Sequence, residues 1–361
     1  MTDDIEPRWR IEAGAGRHLG IGIIGCGGIV SGAHLPAYRA AGLHVVAVHD
    51  VDLERARAVA TAFEVGTVAE SVEALIGVPG VDIVDIAVPP WVQPDIVPVA
   101  AAAGKHLLCQ KPLALDYETA VFEVEAAEAA GVLLAVNHQM RWDPGIAASR
   151  DLIARGVLGA LAQAEIDVSV ATPWHLWPWL AAAPRLEVMY HSIHYQDALR
   201  SILCDPLWVT SVHGRQPDAG EVSGETKTKT VLEYAGGTQA LVAVDHGNRH
   251  GTPRAEFRFL GTEGTLEGTI GLMYDYPDGR ADTLALLRDG ARVHDYAFDT
   301  RWIPDAFLGP MSDLMDAIET GRTPLTSGRE ILGTIAVAMA AYRSSEERRS
   351  VRLDEITGSG A

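Results

Sequence analysis

The sequence predicts an α/β protein in two parts: an N-terminal doubly wound parallel sheet, then an α+β domain with a large, open, mostly antiparallel sheet. Three observations lead there. At 361 residues the chain is long enough for two domains of about 100 to 200 residues each. Residues 19–136 alternate short β-branched runs with helical patterns, as parallel strands joined by crossover helices do. Beyond Asn137 the rhythm changes to many strand-forming runs spaced by turns.

Taken in order, 19–24, 43–49, 81–87, 105–109 and 132–136 read as buried strands, and 53–63, 71–76, 94–103 and 117–130 as the helices between them. Gly104 and Gly131 follow the last two helices as stop signals. Right-handed crossovers make such a sheet doubly wound. In the second part, helical stretches at 146–154 and 187–203 accompany candidate strands at 162–170, 208–213, 227–234, 239–245, 255–260, 265–270 and 283–287. Turns at Gly236-Gly237, 261–264, 277–279 and Asp289-Gly290 space these strands like an antiparallel sheet. A helix at 329–345 closes the chain. The expected organisation is an N-terminal arm (1–17), a nucleotide-binding domain (18–136) and a substrate and oligomerisation domain (137–361).

Composition removes several classes. Hydrophobic residues at 48% and charged residues at 21% exclude a disordered or collagen-like chain. No run of about 18 uncharged apolar residues appears, and residues 1–10 are polar and acidic, so neither membrane insertion nor export is expected. Cys26, Cys109 and Cys204 are odd in number and form no CxxC, which fits a reducing compartment and a cytoplasmic location. Net charge is −19, from 29 basic and 48 acidic residues, and no basic run offers a track for a phosphate backbone, so nucleic acid is not an expected partner. Four of the basic residues are lysines, Lys105, Lys111, Lys227 and Lys229, which makes each of them worth examining.

The first strand runs into Gly25-Cys26-Gly27-Gly28-Ile29-Val30, a GxGxxG-like loop with Val30 in the third glycine's place. Gly25 allows a tight turn, and Gly27 and Gly28 let backbone amides approach a pyrophosphate at a helix start. A glycine turn that merely packs would look the same in isolation. Here the loop follows a strand, and Asp50 ends the next one, where a carboxylate accepts hydrogen bonds from ribose hydroxyls. The reading is a Rossmann domain that binds a dinucleotide. Val51 follows Asp50, with no residue to welcome a 2′-phosphate, so NAD is expected over NADP. Arg55, a helical turn on, is expected to face solvent.

Four ordered signatures, GIIGCGGIVSGAHLPAY (22–38), VHDVDLERA (48–56), IAVPPWVQ (86–93) and GKHLLCQKPLAL (104–115), resemble the Gfo/Idh/MocA oxidoreductases, the glucose-fructose oxidoreductase and inositol dehydrogenase group. Pro36, near the start of the helix after the glycine loop, also fits that family. The family's Glu-Lys-Pro appears here as Gln110-Lys111-Pro112. The resemblance implies that Lys111 lies beside the nicotinamide and binds the reacting hydroxyl. A solvated surface lysine is the bland alternative, and it suits Lys105 better than a lysine at a strand end followed by proline. Pro89 and Pro90 are implied to line the nicotinamide, with Trp91 and Gln93 beyond, and Asn137 to contact a substrate hydroxyl.

The second segment with chemistry is 187–197. The resemblance implies a helix whose histidine shuttles the proton, and His194 with Asp197 matches the family's His-x-x-Asp. Tyr190 stands where the family has aspartate, with His191 beside it. Spacing alone offers another reading, because Glu187, His191, His194 and Asp197 share one helical stripe that could ligate a metal. Three ligands from one straight helix seldom converge on one ion, so no metal is expected. Trp174, Trp177 and Trp179 lie in a proline-broken stretch, where indole faces suit sugar rings as well as they suit a core.

The function implied is NAD-dependent oxidation of a secondary alcohol of a sugar, sugar derivative or cyclitol, with Lys111 and His194 acting on the hydroxyl proton. Two alternatives stand beside it: a redox-neutral enzyme that keeps its NAD while cleaving or epimerising a sugar, and a non-catalytic dinucleotide and sugar sensor. A homodimer or homotetramer through the second sheet is expected.

Overall fold

A computed structural model describes residues 5–12, 14–217 and 222–358. It divides into two compact units, one of Ile11–Gln139 with Ile303–Ile335, the other centred on Met140–Trp302 and the segment from Ala336 onward. The first unit therefore takes in a stretch that chain order alone places in the second domain.

In the first unit the strands are β1 (Ile21–Ile24), β2 (Val45–His49), β3 (Thr67–Val68), β4 (Ile83–Ile86), β5 (His106–Cys109) and β6 (Leu134–Val136). They lie in the order β3-β2-β1-β4-β5-β6, and every neighbouring pair is parallel. This is the doubly wound arrangement, with a reversal point between β1 and β4. The helices are α1 (Leu35–Ala41), α2 (Leu53–Phe63), α3 (Val72–Ile76), α4 (Gln93–Ala102) and α5 (Tyr117–Ala129). Asp52, Ser71 and Asp116 cap α2, α3 and α5 by accepting from the amides of Arg55, Ala74 and Thr119. Gly104 and Gly131 adopt the left-handed conformation that their positions after α4 and α5 require.

The core on one face of this sheet joins Ile21, Ile23, Ile83 and Leu108 to Tyr38 of α1 and Val59 of α2. Phe307, Met311, Leu314 and Met315 complete it from the 303–335 stretch. Three of these four sit in the helix Leu308–Thr320, which local pattern did not reveal because Gly309 and Pro310 stand at its start. Those two breakers are tolerated in a first turn, where amides lack intrahelical acceptors anyway. The same stretch covers an open edge: the Val136 amide donates to the Thr326 carbonyl at 2.8 Å, and Ser327 bridges Ala135.

The second unit contains α6 (Pro144–Ala154), α7 (Pro178–Ala181) and α8 (Ile193–Leu203) with β7 (Leu161–Ser169), β8 (Trp208–Gly214), β9 (Lys227–Glu233), β10 (Gln239–Asp245), β11 (Arg254–Gly261), β12 (Thr265–Thr269), β13 (Thr283–Arg288), β14 (Ala291–Ala297) and β15 (Val351–Arg352). These form one nine-stranded sheet in the order β14-β13-β12-β11-β7-β10-β9-β8-β15. The β7/β10 pair is parallel and the others antiparallel. On β11 the exposed side chains are charged, with Arg254 paired to Asp167 and Arg258 to Glu267 across the strands.

Strand β14 escaped the sequence pattern because it is an edge strand with Arg292, His294 and Asp295 among seven residues. The turn before it was the available signal. Asp289 and Gly290 both have positive φ, as a two-residue hairpin turn requires. Among the described residues no helix is long and apolar enough to cross a membrane.

Candidate functional site

The glycine loop leaves β1 with two kinds of glycine. Gly25 has φ +97°, and a Cβ there would lie 2.5 Å from the Ala87 carbonyl oxygen, so backbone geometry and packing both demand glycine. A Cβ at Gly27 or Gly28 would meet no protein atom within 4 Å. Glycine at those two places relieves no internal clash; it leaves a bare backbone that a phosphate can approach closely. After the loop, Val30–His34 form a wide π-type turn that leads into α1, with Pro36 at its start and Ile29 exposed.

Asp50 is buried at the end of β2. Its Oδ2 accepts from the Cys26 amide at 2.7 Å and its Oδ1 from the Asp52 amide at 2.8 Å. The carboxylate thus braces the glycine loop, a role the sequence did not reveal. Oδ2, with one donor, keeps a lone pair for a ribose hydroxyl, whereas Oδ1 also accepts from the Arg55 guanidinium. Arg55 does not simply face solvent: its guanidinium stands 3.4 Å from Asp50 and 3.2 Å from Asp52. Gly27, Gly28, Ser31, Arg55, Val59 and Phe63 line a cleft of about 450 Å³ beside the loop. Bare loop amides, a carboxylate at the second strand's end and this cleft fit a dinucleotide. The Cys26 thiol is pushed up to about 12 by burial and by Asp50, so it takes no part as a thiolate.

At the end of β5, Gln110-Lys111-Pro112 forms a turn whose main chain is held from two directions. The buried Gln93 side chain donates from Nε2 to the carbonyls of Gln110 (3.0 Å) and Pro112 (3.1 Å). The Lys111 amide donates to Gln110 Oε1 at 2.7 Å. Lys111 keeps part of its surface exposed, yet burial around its ammonium pulls the pKa down to about 7. Lys105 differs, donating to the Val81 carbonyl at 2.7 Å. Pro89 and Pro90 follow β4, where the Val92 amide closes a turn on the Pro89 carbonyl.

Beneath the lysine turn lies a buried polar cluster that local sequence patterns did not reveal. Asn137 is fully buried, and its Nδ2 stands 3.3 Å from His34 Nε2. Gln110 Nε2 reaches the same nitrogen at 3.0 Å, and His34 Nδ1 lies 2.7 Å from Asp85. One signal was present: Asp85 interrupts the apolar run of a strand with no exposed face.

In the second unit, Val188–Ser192 form another wide π-type turn before α8. The straight-helix stripe therefore does not hold. Glu187 accepts from Ser192 at 2.6 Å and from Thr228. The His191 ring packs on His246 (4.3 Å between centroids) and on Trp174 (5.4 Å). The His194 ring meets the indole of Trp302 edge-on at 5.2 Å. Asp197 receives a bidentate pair of 2.7 Å bonds from the buried Arg141 guanidinium. Tyr190 is buried against Trp179, and burial pushes its phenol up to about 12, so it is a hydroxyl donor. No group of three or more His, Cys, Asp or Glu among the described residues could hold a metal ion. His246 and Trp302 join this cluster from distant segments, and no spacing rule could have placed them there.

Comparison with known proteins agrees with both halves. Residues 19–138 match the model of the Gfo/Idh/MocA oxidoreductase family's NAD-binding Rossmann fold, and residues 150–353 match that family's C-terminal alpha/beta domain. D-apiose dehydrogenase of Paraburkholderia graminis is 30% identical over 92% of this chain and 89% of its own. The 2,7-anhydro-N-acetylneuraminate hydratase of Escherichia coli is 25% identical over 79% of this chain and 85% of its own. An oxidoreductase from Agrobacterium radiobacter, crystallised with NAD+, L-tartaric acid and magnesium, shares the fold with a TM-score of 0.84 at 24% identity, covering 94% of this chain and 99% of that one.

Proposed function

This chain belongs to the Gfo/Idh/MocA oxidoreductase family and binds NAD through its Rossmann domain, and from that premise we propose that it oxidises a secondary hydroxyl of a sugar, sugar derivative or cyclitol. The likeness to a sugar dehydrogenase supports the substrate class. NAD supplies the acceptor for the hydride of the C–H bond, and the hydroxyl proton leaves to the protein.

The observation that carries the proposal is the Lys111 ammonium, pulled down to about 7 by burial on a turn whose backbone is held at Lys111, Gln110 and Pro112. A desolvated cation is stabilised more by an oxygen gaining negative charge than by a neutral hydroxyl, so its effect is larger in the transition state than in the ground state. His194, on the second unit's helix, takes the proton as general base. Asp50 holds the ribose hydroxyls, Gly25, Gly27, Gly28 and Ile29 form the pyrophosphate loop, and Pro89, Pro90 and Gln110 border the nicotinamide. Trp174, Tyr190, His191, Asn137 and Asp197 are assigned to the substrate side, with Asp197 acting through its pair with Arg141. Assembly through the nine-stranded sheet belongs to the same proposal.

The test is NADH formation across a panel of sugars, cyclitols and glycosides. His194→Ala should lose about 10²- to 10⁴-fold in kcat with NAD affinity near normal. Lys111→Met should impair KM and kcat together. Full activity in His194→Ala, with loss in His191→Ala or Tyr190→Phe, would move the base along the helix. A second reading, that NAD is retained and the net reaction is redox-neutral, is favoured by the likeness to the hydratase. Steady NADH release would reject it.

A further inference from the structure

Asp85 is a fully buried carboxylate in β4 for which the proposed reaction has no use. Its Oδ2 accepts from the Tyr38 hydroxyl at 2.7 Å and stands 2.7 Å from His34 Nδ1. An oxygen that accepts from the tyrosine can also accept from a hydrogen on Nδ1.

The other end of the chain is defined just as firmly. The Lys111 amide can only donate, so the Gln110 atom facing it is the carbonyl oxygen. Gln110 therefore presents its NH2 to His34 Nε2 at 3.0 Å, and Asn137 adds a second contact there at 3.3 Å. Nε2 must be the bare, accepting nitrogen. The ring is neutral with its hydrogen on Nδ1, and neither Gln110 nor His34 can reverse without losing a bond.

We propose that Asp85, His34 and Gln110 form a one-directional hydrogen-bond chain that positions Lys111 through its backbone amide. Every link donates toward the carboxylate: Lys111 N–H to Gln110, Gln110 to His34, His34 to Asp85. The chain ties the turn after β5 to β4 and to the π-type turn that follows the glycine loop. Gln93 holds the carbonyls on either side, so the lysine's main chain is immobilised.

Glutamine at 110 is required by this arrangement. A glutamate at 110 would force either a second proton onto the ring or two bare acceptors face to face. Asp85 and Gln110 thus act as a pair. The catalytic meaning of the chain rests on the proposed role of Lys111, but its existence does not.

The experiment reads both ends of the chain in the intact protein by NMR. With 13C-labelled lysine the four lysines are resolved and Lys111 is assigned by its loss in Lys111→Met. With 15N-labelled histidine the 13 rings are read and His34 is assigned by its loss in His34→Gln. At about pH 7.5, His34 should show the neutral Nδ1–H tautomer, and Gln110→Glu should convert it to imidazolium. Gln110→Met, which keeps the volume and removes the link, should raise the Lys111 titration midpoint by about one unit or more toward its ordinary range. It should also lower kcat about tenfold or more. Asp85→Asn keeps an acceptor for Nδ1–H and should behave nearly as the unmodified protein, whereas Asp85→Val should shift Lys111 as Gln110→Met does. If Asp85→Val fails to fold, Gln110→Met and Asp85→Asn decide. An imidazolium or Nε2–H tautomer in the unmodified protein overturns the chain, as does an unmoved Lys111 midpoint in folded Gln110→Met. Absence of turnover on every substrate would count against the proposed function, while the tautomer and the lysine midpoint would still decide the chain.

Discussion

Glu123 on α5 is 0% exposed, and neither carboxylate oxygen has a hydrogen-bond partner. Burial, with a smaller push from Asp116, raises its pKa from 4.5 to about 8. A raised carboxyl pKa means that the folded chain holds a proton the unfolded chain has already released. The stability this contributes is complete below about pH 4.5 and is lost as pH rises through about 8. At 1.36 kcal/mol per unit, the gap between 4.5 and about 8 comes to roughly 5 kcal/mol once both states have ionised, and about 3 kcal/mol of it is already gone at pH 7. Glu123→Met fills the same volume without a titrating group. Urea unfolding of both proteins between about pH 5 and pH 8.5 should show the variant gaining on the unmodified chain by roughly 3 kcal/mol or more toward the alkaline end. Glu123→Gln should remove the same slope while keeping the cost of a buried unpaired amide. A difference between Glu123→Met and the unmodified chain that stays constant with pH would show that this carboxyl is solvated or paired, and would refute the reasoning.

Gly28→Ala meets no protein atom and should leave the melting temperature nearly unchanged while weakening NAD binding by about tenfold or more in calorimetry; Gly25→Ala, strained in φ and pressed on the Ala87 carbonyl, should destabilise the fold itself. Asp50→Ala should weaken NAD more than NADP in paired binding titrations, since it removes the ribose acceptor and frees Arg55, and it should also loosen the loop by stripping the acceptor from the Cys26 amide. Arg141→Met leaves Asp197 buried and without its guanidinium, at a cost of about 3 to 5 kcal/mol in denaturant unfolding, and Arg141→Met with Asp197→Leu should recover much of that loss.

Periodicity and punctuation alone determined five of the six parallel strands, the helices between them, most strands of the second sheet and the glycine loop, because each is encoded within a few residues of itself; the lysine turn came from the family resemblance, and β3, two residues long, left no pattern to read. Gly104 and Gly131 show how directly: a helix stop needs only a left-handed residue at the right place. Where local signals conflicted, the sequence fell short. Gly309 and Pro310 hid a helix whose stability comes from burying Met311, Leu314 and Met315 against the first sheet, and a charged edge hid β14. The straight-helix spacing of Glu187, His191, His194 and Asp197 failed at a π-type turn. The cluster of Tyr38, Asp85, His34, Gln110 and Asn137 was beyond any local rule, since its members come from different elements and the turns that follow them and meet only in space. What a buried polar side chain does depends on which donors and acceptors surround it in space. Only the tertiary structure decided that Asp85 faces a histidine, that Asp50, expected to hold ribose hydroxyls, also braces the glycine loop, and that Asp197 is held by Arg141.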